Sequence, residues 1–297
     1  MADQGSIPPA ARQTAGMARL TPYELVFEAP AMEGRTFPAI LAEAEAQRVD
    51  PSHPERFAFL SRAGEAVRDV VPPDASPDAT EQYRMFLYHA FNFWRFGKRV
   101  YVLEPAVARY LVEAAPDLRG WELRLPAESA YVQLPANLFW ASVSPDVPPE
   151  PVDGFFVCCA DCQDAGGEPF ATLEVLMALG IHRQRAGLSL IHFDTEVGPG
   201  IPAAWNEAAV REEGRDFESV LPGGDMAGLY SILTVPEALK LVGRALWYVD
   251  RHPGHVAGHE PAERREHERP GSVPLSRLAF HRVSLAEADD GGAAAPA

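Results

Sequence analysis

The chain has 297 residues, 47% of them hydrophobic, which is enough apolar material for one large or two small folded domains. Its 42 acidic and 26 basic side chains give a formal net charge of −16, and this field disfavours nonspecific binding to nucleic acid. No apolar run approaches the roughly 20 residues of a membrane span, and the N-terminus lacks an apolar signal core. The sequence predicts a cytoplasmic protein with no membrane partner and no direct DNA binding.

The first part of the chain is predicted to be mainly helical, over residues 19–122. In chain order we expect a disordered segment at 1–18, a short strand or extended arm at 20–27, helices at 37–49, 56–70 and 80–96, a strand at 100–103 and a helix from Pro105. Thr80 suits the N-cap of the third helix, and Gly97 suits a left-handed residue after its end.

The second part, residues 123–285, is predicted to carry the sheet and a late helix, either as its own unit or continuous with the first part. The expected elements are strands at 129–134, 152–160, 188–193 and 278–285, helices at 203–213 and 235–249, a mobile insertion at 195–228, a polar loop up to 274 and a disordered acidic tail at 286–297. Residues 170–179 suit either a strand or a helix, and the sequence favours a helix from Thr172. The order of elements predicts an α+β fold, with the helical N-terminal part packed on a mixed or antiparallel sheet.

All three cysteines lie within five residues, and Cys159 and Cys162 form a C-x-x-C pair. On a turn, the two sulfurs of such a pair converge and suit zinc or redox chemistry. The alternative is that these cysteines are small buried hydrophobic residues at the end of a strand. A structural zinc would need two further ligands, and no second pair follows closely.

Histidines offer the other candidate chemistry. His255 and His259 are four residues apart, within a group that also includes His252 and His267, but the neighbouring prolines and glycines argue against a helix. This group is either a solvated loop or the metal site of a metal-assisted hydrolase or nuclease. His192 and Asp194 would lie on one side of a strand. They are either a general base, with the carboxylate supporting the imidazole, or an ordinary polar pair. The phosphate-binding glycine motifs are absent, which predicts no nucleotide cofactor, and no catalytic residue is assigned.

Several hydrophobic and turn positions form a recognisable order: Trp94-Arg95 at a helix end, Leu125-Pro126 and Tyr131-Val132 in one strand, Gly154-Phe155 in the next, and Leu246-Trp247 in the late helix. This set of positions resembles the type V-A anti-CRISPR family whose founding member lowers the amount of the Cas12a nuclease. The likeness covers residues 80–160 and 235–250.

This resemblance implies a binding protein that recognises a nascent polypeptide on the ribosome and suppresses its expression, with the mRNA associated indirectly. The founding member's basic end is reduced here to Phe280, His281 and Arg282, followed by Asp289 and Asp290. The acidic charge fits a basic or amphipathic partner segment. The aromatic pair Phe139-Trp140 is either core or a peptide anchor. The predicted binding residues are Trp94, Arg95, Tyr131, Phe139 and Trp140.

Overall fold

The structure is a computed structural model, and it describes residues 17–114, 116–143, 147–163, 169–181, 189–213, 230–232, 234–261 and 274–285. The predicted tail at 286–297, His267 and all but two residues of the predicted segment 1–18 lie outside this range. None of the described helices combines the length and the apolar character that a bilayer crossing requires.

Helices dominate the first hundred residues. The helices are α1 Pro22–Val26, a π-helical turn Met32–Thr36 that continues into α2 Phe37–Gln47, α3 Pro54–Ala58, α4 Ser61–Val70, α5 Pro77–Arg95, α6 Pro105–Glu113, α7 Ile201–Glu213, α8 Val235–Arg251 and a 3-10 turn Pro253–His255. The strands are β1 Arg99–Leu103, β2 Ser129–Gln133, β3 Phe139–Ala141, β4 Glu150–Gln163, β5 Pro169–Leu179, β6 Ser189–Val197, β7 Tyr230–Ile232, β8 Val256–His259 and β9 Phe280–Val283.

One mixed sheet organises the fold, with the strand order β6-β5-β4-β2-β1-β9-β8 and with β3 pairing to β4 and β7. β1 runs parallel to both of its neighbours, β2 and β9, whereas β4, β5 and β6 form an antiparallel meander. The predicted α+β class and the mixed sheet are confirmed.

The sheet is covered on both faces by separate hydrophobic cores. On one face, Tyr131 and Phe156 pack with the aromatic residues of the N-terminal helices. On the other face, Phe155 and Val157 pack with residues of α6 and α8. Because successive side chains of a strand point to opposite faces, a strand covered on both sides is apolar throughout. This explains the continuous apolar run in β4.

Three predictions need correction in the N-terminal part of the chain. The segment predicted as a strand or arm at 20–27 is helix α1, because Thr21 and Glu24 close a reciprocal capping box. The predicted helix 56–70 is two helices, interrupted where Leu60 is extended at φ −70° and ψ 124°. Helix α5 begins at Pro77, with Ser76 rather than Thr80 as its N-cap. Gly97 adopts the predicted positive φ, at 86°.

The sheet is larger than the sequence indicated. Residues predicted as a helix from Thr172 belong to strand β5, which pairs with β4 on one side and β6 on the other. Its second half, 175–179, is apolar toward both cores, so the two-residue alternation that marks a half-buried strand is missing there. Within the predicted polar loop, 256–259 form strand β8 against β9.

Candidate functional site

A cavity of about 780 Å³, called the groove below, lies between α3, the first turns of α5 and the outer strands β5 and β6. Its floor is the α5-facing side of the sheet, where the even-numbered residues of β5 and β6 project. Glu174 is paired across the strands with Asp194, and Leu176 with His192. The strand alternation therefore places His192 and Asp194 in the groove together, as their spacing predicted.

A chain of hydrogen bonds runs across the floor of the groove. The His192 Nε2 atom lies 3.1 Å from Glu174 Oε2, and the Thr172 hydroxyl donates to Glu174 Oε1 at 3.1 Å. The Glu174 side chain is only 4% exposed, whereas that of His192 is 26% exposed. The imidazole is thus held by the buried carboxylate of Glu174, rather than by Asp194, and it presents its free edge to the cavity.

His89 of α5 lies directly beside this floor. Its ring centroid is 5.9 Å from that of His192, and the side chain is fully buried. Neither ring nitrogen has a hydrogen-bond partner among the described residues. Burial, and then the neighbouring His192, hold the pKa of His89 well below its usual range, so the ring is neutral at pH 7.

The rim of the groove is acidic. It carries Glu55 from α3, Asp78 and Glu81 from α5, and Asp194 from β6. Arg84 also lines it and is paired to Glu81. Carboxylates that line a concave surface focus a negative potential and raise the local concentration of cations.

A second cavity of about 670 Å³ continues the groove past Cys162 and Phe170, which line both. It adds Asp50, Asp161 and Arg56 to the surface. Together the two cavities present seven carboxylates and two guanidinium groups among the described residues. The combined surface is long, partly apolar and strongly negative.

Two of the predicted binding residues are fully buried and lie in different cores. Tyr131 belongs to the core under the N-terminal helices, where its hydroxyl donates to Asp153 Oδ2 at 2.5 Å. Burial, and then the charge of Asp153, raise the pKa of Tyr131 well above its usual value. Phe139 lies in the core on the opposite face of the sheet. The structure does not bring these two side chains together.

The other three predicted binding residues are half-buried. Trp94 packs on Phe37, with ring centroids 5.4 Å apart. Arg95 lies 3.6 Å from Asp50 in an ion pair, so it borders the second cavity. Trp140, in β3, donates from Nε1 to the carbonyl oxygen of Asn137 at 3.2 Å. None of these three residues is among those that line the groove. Their role in binding stays a prediction.

The cysteine pair does not lie on a turn. Cys159 and Cys162 both lie in strand β4, and Cys159 packs against the core that contains α6 and α8. Cys162 projects to the opposite face and lines the groove. Because the two sulfurs leave opposite sides of the sheet, they cannot converge on one ion. Burial raises the pKa values of Cys158 and Cys159 to about 12, so both stay thiols.

Among the described members of the histidine group, His252 and His255 are half-buried and His259 is exposed. The rings of His252 and His255 stack 5.0 Å apart, and the Tyr248 hydroxyl lies 2.8 Å from His255 Nδ1. His259 stacks on Phe280 across the β8–β9 pair at 5.2 Å. Within the part of the chain that the structure describes, no three His, Cys, Asp or Glu side chains are grouped to hold a metal ion.

Comparison with known proteins gives one distant likeness. The chain aligns with the crystal structure of AcrVA2 at 13% identity and a TM-score of 0.46, over 88% of this chain and 81% of that one. No protein-family model and no curated protein matches the sequence. At this identity and score the likeness assigns no function.

Proposed function

We propose that this protein binds a basic or amphipathic polypeptide segment in the groove and, as an anti-CRISPR-like regulator, suppresses expression of the protein that carries it. The single observation behind the proposal is the acidic, half-apolar groove between the N-terminal helices and the outer strands. Cationic side chains are the ligands that such a surface attracts.

The chemistry of the lining suits lysine and arginine. Phe57, Met85 and Phe170 provide apolar surface for the long methylene stems of these side chains. The carboxylates of the rim then accept charge-assisted hydrogen bonds from the cationic heads, which are about twice as strong as neutral ones. A volume of about 780 Å³ accommodates a few side chains, which fits a short segment rather than a folded domain.

The target is a nascent chain in this proposal. A segment of a few residues is accessible while a polypeptide emerges from the ribosome, before the rest of the domain folds over it. The net charge of −16 repels RNA, so any mRNA would be recovered through the ribosome and the nascent chain rather than by direct contact.

The test uses affinity capture from a translating lysate, followed by RNA sequencing and mass spectrometry of the same eluate. The groove variant carries Glu55→Gln, Glu81→Gln and Asp194→Asn. The matched control variant carries Glu45→Gln, Asp69→Asn and Asp74→Asn, which remove the same charge from exposed positions outside the groove.

We expect the natural chain and the control variant to enrich one transcript together with its N-terminal peptide, and the groove variant to lose both. Retention by the groove variant, with loss on Trp94→Ala or Trp140→Ala, would move the site to the predicted aromatic residues. Enrichment of neither transcript nor polypeptide by the natural chain would refute the proposed function.

A further inference from the structure

We infer that the bound segment adds as a strand to the free edge of β6. This inference rests on the proposed function and specifies how the groove binds the segment. β6 is nine residues long and ends the strand order of the sheet. Among the described residues, no strand pairs with its outer side. An unpaired edge presents backbone N–H and C=O groups at alternate residues, which an extended peptide can bind.

The two faces of β6 differ in chemistry. His192, Asp194 and Glu196 project to the groove side, and both acidic side chains are exposed. The odd-numbered Ile191 and Val197 project to the other side and pack against the core of α6 and α8. A strand added beside β6 would therefore place every second side chain next to carboxylates and the others next to apolar surface. The expected segment alternates basic and apolar residues.

The same carboxylates exclude a second copy of this chain as the occupant. Two β6 edges paired with each other would bring Asp194 and Glu196 of one copy close to the same residues of the other. Like charges on directly opposed strand positions are destabilising, and each copy carries a net charge of −16. Charged side chains on an edge strand commonly prevent self-association, and here they leave the edge open to a cationic strand.

The test measures fluorescence anisotropy with four labelled peptides of lysine and valine. The first alternates the two residues over eight positions, and the second has the same composition as a block of lysines and a block of valines. The remaining two repeat the alternating sequence with backbone N-methyl groups on either the lysines or the valines. In a strand paired with β6, either the lysines or the valines, but not both, direct their backbone N–H groups at β6.

We expect the alternating peptide to bind at least about tenfold more tightly than the block peptide. One N-methylated peptide should lose up to about tenfold in affinity for each backbone hydrogen bond removed, and the other should change by less than about twofold. The variant Asp194→Lys/Glu196→Lys should prefer an alternating glutamate–valine peptide. The control Thr195→Lys, on the opposite face of the same strand, should keep the preference for lysine.

Four outcomes would count against edge pairing or the groove. Equal binding of the alternating and block peptides, or equal loss with both N-methylated peptides, would overturn strand addition and leave the proposed function standing. Binding of none of the lysine peptides would refute the proposed function itself. An unchanged charge preference in the double variant would show that β6 is not the contact.

Discussion

Arg19 joins the segment before α1 to the centre of the sheet. Its Nη2 atom lies 2.8 Å from Asp153 Oδ1 and donates to the carbonyl oxygen of Leu134 at 2.7 Å. The side chains of Arg19 and Asp153 are 8% and 4% exposed. The Tyr131 hydroxyl and the Gln133 amide also reach the same carboxylate. The ion pair is therefore a buried one, and its two partners are far apart in the sequence.

Replacement of Arg19 by methionine tests the energetic role of this pair. The variant keeps most of the side-chain volume but removes the cation, and it leaves the buried carboxylate of Asp153 uncompensated. Breaking a buried pair in this way costs about 3–5 kcal/mol. Replacing both partners, as in Arg19→Met/Asp153→Asn, removes the uncompensated charge, so we expect it to recover at least about 2 kcal/mol of that loss.

The measurement is urea-induced unfolding at pH 7, followed by circular dichroism, with Arg62→Met as the control. Arg62 and Glu65 form an exposed ion pair, with 57% and 47% of the side chains accessible, so its loss should leave the urea midpoint unchanged. A cost below about 1 kcal/mol for Arg19→Met, or additive losses in the double variant, would refute the reasoning that an uncompensated charge dominates.

Three further predictions concern stability and use the same urea assay. In Gly154→Ala, the new Cβ would lie 2.3 Å from the carbonyl oxygen of Val132, so we expect a loss of about 3 kcal/mol, and an unchanged midpoint would contradict the packing. Since burial lowers the pKa of His89, the folded state resists protonation, and stability should fall by about 1 kcal/mol per pH unit below about pH 6.5. His89→Met should flatten that dependence between pH 7.5 and 5.5, and an equal slope in both proteins would exclude His89 as its source. Thr234→Ala removes the cap of α8 and should cost about 1 kcal/mol, whereas Thr234→Ser should cost less.

Helices with clear ends could be predicted from the sequence. Helix α8 has a proline in its first turn and one apolar face, and its observed start at Val235 is the predicted one. Strand β5 could not be predicted in the same way, because its second half, 175–179, is covered on both faces and this apolar run has no two-residue period. Because the sequence favours a helix from Thr172, it does not identify Glu174 as a partner of His192.

The groove was predictable only in part. Strand alternation placed His192 and Asp194 on one side, but the helix that covers them comes from a distant part of the sequence. The contact of Tyr88 with the carbonyl oxygen of Ser52, at 2.5 Å, holds α5 against the segment before α3. No periodicity or motif reports such a long-range approach. The sequence does not single out His89, because a histidine within an apolar helix carries no signal of its own.

The position of β9 has a consequence for how the chain matures during synthesis. β9 lies between β1 and β8, and its parallel pairing joins Val100 to Phe280. The backbone N–H of Arg277, just before β9, donates to the Glu24 carboxylate in α1. The sheet therefore cannot be completed until Val283 has left the ribosome, although β1 emerges long before. Until then one side of β1 has no partner strand, and this interval is when we expect the growing chain to depend most on chaperones.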